Sequence, residues 1–216
     1  MPAVPSSSGS NPTSVVIAAV GGQGALLAAR VLARYATITR RDVKVSEIHG
    51  MSQRGGSVVT HVRFGDEVHS PVVELGEADA VVAFELLEAA RYAPYVRPGG
   101  LLISSTQRIA PLPVLTGAVA YPEDLETTLK ACHFRCLLVD ARRHAEALGE
   151  IRTVNTLLLG VLASHLTGDI EPWRDAVRAC ISPAHARVNL AALETGWALY
   201  GSEGAPSTHD RKGSPQ

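Results

Sequence analysis

Residues 46–57, Ser-Glu-Ile-His-Gly-Met-Ser-Gln-Arg-Gly-Gly-Ser, gather more chemistry-bearing side chains than packing could use. Seven of the twelve are polar or charged and three are glycine, so only Ile48 and Met51 could serve a core. Glu47 brings a carboxylate, His49 an imidazole, and Ser52 and Gln53 neutral hydrogen-bonding groups. Arg54 brings a planar, permanently charged fork suited to a carboxylate or a phosphate. Gly50, Gly55 and Gly56 allow positive φ or a close approach of the backbone to a ligand or partner. A polar, glycine-bearing loop between two strands is where binding and catalytic groups tend to sit. The same spacing also describes a plain β–β connection whose glycines only turn the chain and whose Arg54 is solvated.

A second candidate is Gly21-Gly22-Gln23-Gly24, at the junction of an apolar run and a helical pattern. Backbone N–H groups at a helix N-terminus attract phosphate or carboxylate, and glycines let the anion come close. Against the dinucleotide fingerprint G-x-G-x-x-G/A, Gly22 and Gly24 match but the third position is Leu27. Glu47 ends the next strand, where a ribose-binding acid would stand. A tight strand–helix turn without a ligand accounts for the pattern equally well.

Other constellations give less. Glu85 and Glu88, one turn apart, could be an acid/base pair, but carboxylates at a helix start more often partner the helix dipole. Asn155 beside an apolar stripe reads as a structural hydrogen-bonder to a neighbouring loop. There is no G-x-S-x-G elbow, phosphate-binding G-x-x-x-x-G-K-[ST] loop or kinase signature. Cys132, Cys136 and Cys180 are too few for a zinc or iron–sulfur site of about four ligands, and the eight histidines form no ligand pair. No metal site is expected, and no catalytic residue is assigned.

The elements that must position these residues form an α/β pattern. Residues 15–20 are apolar on both faces, as in a strand covered on two sides. Residues 25–38 carry Leu27, Val31 and Tyr35 at helical spacing, with Leu26 and Ala33 nearby. Strands follow at 43–47 and 58–64. The second turns at Gly65-Asp66 into 67–70, predicting a β-hairpin with one wet side. Further strands are predicted at 80–84, 101–104 and 136–140, with a loop marked by Pro111 and Pro113. Helices are predicted at 85–95, at 123–131 behind Pro122, and at 141–148 up to Gly149. Beyond Gly149 the pattern is helical only: 153–166, 171–179 opened by Pro172, and a terminal helix from Ser182-Pro183 to about residue 200. The fold class is therefore α/β, a Rossmann-like, mainly parallel sheet with a β-hairpin insertion and a helical C-terminal cap. Residues 14–200 form one domain in this reading, between disordered tails at 1–13 and 201–216.

Bulk properties agree. The 216 residues suffice for one well-cored domain, and 46% apolar against 19% charged residues is a globular balance. A net charge of −1 gives no footprint for nucleic acid or an anionic membrane. The apolar run at 15–20 is too short to span a bilayer, and residues 1–14 lack the form of a secretory signal. A soluble cytoplasmic protein is the expectation.

Taken together and in this order, the segments resemble the gamma-type subunit of 2-oxoacid:ferredoxin oxidoreductases. Residues 19–24, Ala-Val-Gly-Gly-Gln-Gly, are similar to that family's opening glycine turn, and residues 46–58 to its signature loop. The His49-Gly50-Met51-Ser52-Gln53-Arg54-Gly55-Gly56 form resembles the beta subunit of the indolepyruvate branch, with the pyruvate branch as the alternative. Residues 84–91, 149–156 and 189–196 also resemble that subunit. Two features depart from the pattern: residues 101–105 lack an Asn that often ends this strand, and Ala184 and His185 stand where lysines are usual.

The resemblance implies a subunit of a complex that decarboxylates aryl pyruvates oxidatively to acyl-CoA and passes electrons to ferredoxin, with CoA as co-substrate. It implies no cofactor on this chain. Thiamine diphosphate, Mg²⁺ and iron–sulfur clusters would belong to a larger alpha-type partner. It further implies that Gly21, Gly22, Gln23, Gly24, Glu47 and residues 49–56 form partner- or ligand-facing loops, with Arg54 meeting an anionic group. A self-sufficient NAD(P)-binding oxidoreductase is the other enzymatic reading.

Overall fold

The computed structural model describes residues 11–49 and 55–200. Its centre is a six-stranded sheet of β1 (Thr13–Val20), β2 (Asp42–His49), β3 (Ser57–Gly65), β4 (Ala78–Ala83), β5 (Val96–Ser105) and β6 (Arg135–Val139). The order across the sheet is β2-β3-β1-β4-β5-β6. β1, β4, β5 and β6 pair in parallel, and β3 alone runs against its neighbours β1 and β2. The sheet is thus mainly parallel, as its apolar runs predict.

The helices are α1 (Ala25–Ile38), α2 (Leu86–Tyr92), α3 (Leu112–Leu115), α4 (Leu125–Lys130), α5 (Ala141–Ala147), α6 (Val154–Leu166), α7 (Glu171–Cys180) and α8 (Pro183–Tyr200). Alternate residues of β1 point into two cores, which is why its sequence is apolar throughout. Val15, Ile17 and Ala19 pack with α1 and α5–α8 on one face, and Val16 and Ala18 with α2 and α4 on the other. Tyr35 of α1 stacks on Trp173 of α7 with ring centroids 4.1 Å apart and meets Phe64 of β3 edge-on, which fixes α1 over the sheet.

α6 is buried along nearly its whole length, from Val154 to Ser164, rather than along the single stripe its sequence suggests. The cause is α8. A Cβ at Gly160 would lie 2.1 Å from Leu193 O, and one at Gly196 would lie 1.9 Å from Leu157 O. The two backbones touch where neither helix carries a side chain.

The predicted hairpin is present but made from a different pair. Its strands are β2 and β3, so residues 46–57 include its tip. Residues 66–77 form no strand. Both edges of β3 are already occupied by β1 and β2, so a strand at 67–70 has no edge left to join. That segment instead crosses the face of β3, where Val73 N donates to His61 Nδ1 at 3.1 Å and Val68 N to Asp42 Oδ2 at 2.9 Å. Two smaller corrections follow from capping. α4 starts only at Leu125 behind Asp124, so Pro122 precedes it, and the Pro111–Pro113 loop contains the short helix α3. β1 begins at Thr13, paired with Phe64, while residues 1–10 and 201–216 of the expected tails lie outside the described residues.

Candidate functional site

The glycine turn and the hairpin tip meet. Gly21 N donates to Gly56 O at 2.8 Å, and Gly55 N donates to Gly21 O at 3.4 Å. Two stretches more than thirty residues apart are therefore laced together at the C-terminal end of β1, where open α/β sheets place their ligands. Glu47, near the end of β2, faces the same space. Val20, Gly21, Gly22, Gly24, Ala25, Leu26, Glu47 and Val58 line a cleft of about 360 Å³. Among the described residues no side chain caps the start of α1, so its first-turn N–H groups can serve an incoming anion. Glu47 places an exposed carboxylate across the cleft, suited to accept from a hydroxyl or amine.

Of the residues singled out from sequence, Gly21, Gly22, Gln23, Gly24, Glu47, Gly55 and Gly56 come together here. His49 ends β2, its backbone paired with Val58. Gly50, Met51, Ser52, Gln53 and Arg54 lie outside the described residues.

Gln23 has a role its position in the turn does not reveal. Its Oε1 accepts from Val20 N at 2.8 Å and its Nε2 donates to Phe84 O at 3.1 Å. One side chain thereby bridges the ends of β1 and β4. Gly24, at φ 85° ahead of α1, is held from the other side. Asn155 of α6 donates from Nδ2 to Gly24 O at 3.3 Å and accepts from Thr156 N at 2.7 Å. Thr156 Oγ1 donates to Asn189 Oδ1 at 2.8 Å, and Asn189 Nδ2 to His185 O at 2.9 Å. A buried polar chain thus joins the glycine turn to the start of α8. The expectation that Asn155 bonds to a neighbouring loop is met; the chain beyond it has no signature in sequence spacing.

The two carboxylates of α2 diverge in role. Glu85 is an N-cap: Oε2 accepts from Glu88 N at 2.9 Å, and Oε1 from Ile109 N at 3.0 Å and from the Tyr121 hydroxyl. Glu88, 4% exposed, accepts instead from Ser57 Oγ at 2.5 Å, with Tyr92 OH 3.3 Å from the same hydroxyl. Burial raises the Glu88 carboxyl above its ordinary range, against the lowering effects of the Ser57 hydrogen bond and of Arg91, whose Nε lies 3.6 Å away.

The three cysteines do not fit an iron–sulfur cluster. Cys136 packs into the core under α2 and α4, and Cys180 into the opposite core under α1. Burial pushes the Cys136 thiol up to about 11, away from the thiolate a metal needs. No group of three or more His, Cys, Asp or Glu among the described residues could hold a metal ion. Among them, too, no helix is long and apolar enough to cross a membrane.

Fold and site together define an open α/β domain, wound on both faces, with its polar residues gathered beyond the strand ends. The comparisons place it further: residues 14–199 match the pyruvate ferredoxin/flavodoxin oxidoreductase family. The indolepyruvate oxidoreductase subunit IorB of Pyrococcus horikoshii is 36% identical over 188 residues, covering 85% of this chain and 93% of that one. The chain belongs to the pyruvate ferredoxin/flavodoxin oxidoreductase family, as a small oxidoreductase subunit. The gamma subunit of a keto/oxoacid ferredoxin oxidoreductase from Geobacter sulfurreducens has the same fold, with TM-score 0.67, 23% identity, and coverage of 86% of this chain and 96% of that one. The 2-oxoglutarate:ferredoxin oxidoreductase of Magnetococcus marinus contains the fold within a longer chain: TM-score 0.69, 16% identity, 96% of this chain and 34% of that one.

Proposed function

We propose that this chain is the small subunit of an indolepyruvate:ferredoxin oxidoreductase, a complex that converts aryl pyruvates and CoA to acyl-CoA and carbon dioxide and reduces ferredoxin. The observation that carries the reading is the coincidence of two facts. The chain matches an indolepyruvate oxidoreductase subunit over almost that subunit's full length, and the two motifs behind the resemblance are hydrogen-bonded to each other at one end of the sheet. A larger partner would carry thiamine diphosphate, Mg²⁺ and the iron–sulfur clusters. When bound there, thiamine supplies the carbanion chemistry and the clusters take electrons singly. The work left to this chain is positional, and its setting is the cytoplasm.

In this reading Gly21, Gly22 and Gly24 present the start of α1 to an anionic group of the CoA co-substrate or of the partner. The resemblance gives Arg54 the part of a charged fork for that anion. The hairpin tip, residues 49–56, docks on the partner and shields the thiamine site from water. The test is reconstitution with the partner subunit. Arg54→Ala is expected to assemble normally and to lose about tenfold or more in kcat/KM, the scale of one lost charge-assisted contact. An Arg54→Ala complex that assembles and turns over like the parent would remove Arg54 from the site. Aryl-pyruvate oxidation by the isolated chain would end the whole reading.

Glu47, standing across the cleft from the glycine turn, favours a second reading, a dinucleotide site using it for a ribose hydroxyl. Stoichiometric NAD(P)H binding by the isolated chain, followed by fluorescence, would establish that reading and displace the first.

A further inference from the structure

Glu88 is hard to explain as part of the fold. It lies at 4% exposure, and among the described residues the one cation beside it, Arg91, is half exposed with its Nε 3.6 Å away. Its neighbour Glu85 caps α2 and is filled by donors from Glu88 N, Ile109 N and Tyr121, so the helix start is already served. A glutamine at position 88 could still accept the Ser57 hydroxyl, through a weaker neutral bond and without a charge to desolvate. What a carboxylate adds is a charge-assisted bond, shorter and roughly twice as strong as a neutral one.

The recipient of that bond is well placed. Ser57 is the first residue of β3, opposite Val20 in the β1–β3 ladder. It follows Gly55 and Gly56, which are bonded to Gly21, and precedes Val58, which lines the cleft. Ser57 and Val58 point to opposite faces of β3. Glu88 therefore grips the wall of the cleft from behind, without entering it.

We infer that Glu88 is a positioning residue: through Ser57, with Tyr92 beside the same hydroxyl, its carboxylate clamps the Gly55–Val58 segment against the glycine turn. Protonation weakens the clamp. Among the described residues the groups that face Glu88 are Ser57 from β3, Arg91 from α2 and Glu85 at its N-cap, with Tyr92 beside the Ser57 hydroxyl. Burial and Glu85 favour the neutral acid, while Ser57 and Arg91 favour the carboxylate.

The test is amide hydrogen exchange on the full chain in its complex with the partner subunit, from pH 4.5 to 8. Peptides spanning Gly21 and residues 55–59 are compared with β6 as internal reference. Glu88→Gln stands in for the protonated state, and Ser57→Ala removes the donor. At neutral pH both variants are expected to exchange about tenfold faster than the parent in those two peptides. Toward pH 4.5 the parent should approach Glu88→Gln. Equal exchange in parent and Glu88→Gln at every pH overturns the proposal. So does a difference that stays constant across the range, since that marks packing and not charge. The inference needs the proposed reading of the cleft only for its kinetic consequence. Altered exchange with unchanged turnover would retire the cleft from the reaction and leave the clamp standing.

Discussion

Gly24 offers the sharpest check on how the glycine turn is built. Its φ of 85° is strained for any side chain, and a Cβ there would lie 2.3 Å from Asn155 Nδ2. Asn155 cannot step aside cheaply, because it is buried and its Oδ1 is tied to Thr156 N. Gly24→Ala therefore carries about 1–2 kcal/mol of left-handed strain. It also displaces a buried amide from its partners, at roughly 1–3 kcal/mol. The expected loss of stability is roughly 2–5 kcal/mol. Asn155→Ala alone should cost about 2 kcal/mol through its bonds to Gly24 and Thr156. In the double variant the clash is gone and only the strain adds to the Asn155 loss, giving roughly 3–4 kcal/mol where additivity would give about 4–7. Urea unfolding of the four proteins, followed by far-ultraviolet circular dichroism, reads the cycle directly. A coupling energy below about 0.5 kcal/mol would show that Asn155 does not hold the turn.

Three further outcomes are expected. Gly160→Ala and Gly196→Ala should each destabilise by about 3 kcal/mol or more, visible as a large fall in Tm, because the new Cβ meets backbone that no rotamer change can move. Glu88→Gln should raise the Tm at neutral pH even as it loosens the Gly55–Val58 segment, because relief from burying the charge outweighs the Ser57 bond, with the gain vanishing as pH falls below about 4.5. The Glu88 carboxyl is raised by burial, so its protonated form favours folding below the ordinary glutamate value, and that contribution is lost as pH rises through the folded-state value. His61 runs the other way. Buried, accepting from Val73 N, it is lowered by desolvation from 6.5, so its stability contribution is present above that value and is lost as pH falls below it. His61→Gln should flatten the acid side of the stability profile, measured as urea midpoints from pH 7 to 5; an unchanged slope would count against it.

Much of the architecture was legible because it is written in periodicity. The continuous apolar run of β1 announced a strand buried on both faces, and α1 emerged with the bounds its pattern gave. Its inner face was less legible: Leu26 looks like core but is half exposed at the cleft, while small Ala28, Ala29 and Ala36 join Val31, Leu32 and Tyr35 in the packing. The hairpin that forms, β2–β3, differs for a topological reason from the one local turn chemistry predicts. Turn chemistry at Gly65-Asp66 is local, whereas the absence of a free edge on β3 depends on where β1 and β2 lie. The glycine turn and hairpin tip were each conspicuous, but their lacing through Gly21 and Gly56 is a long-range backbone contact that no spacing encodes. Glu88 was visible as a carboxylate one turn from Glu85; that one caps and the other clamps depends on Ser57, thirty-one residues away.

Gln23 decides which side of the turn is open. β1 leads through α1 to β2 on one side of the sheet, and β4 leads through α2 to β5 on the other. The crevice between the ends of β1 and β4 is thus the topological switch point, the usual ligand site of such sheets. Here the Gln23 side chain spans it, bonded to Val20 N on one bank and Phe84 O on the other. The remaining opening lies toward β3, where Val58 and Glu47 form the far wall. An anion arriving at α1 must therefore pass beside Gly55 and Gly56, which belong to the stretch the resemblance assigns to a partner. Geometry makes the site dependent on how Gly55 and Gly56 are held, which is why the carboxylate behind Ser57 matters more than its distance from the cleft suggests.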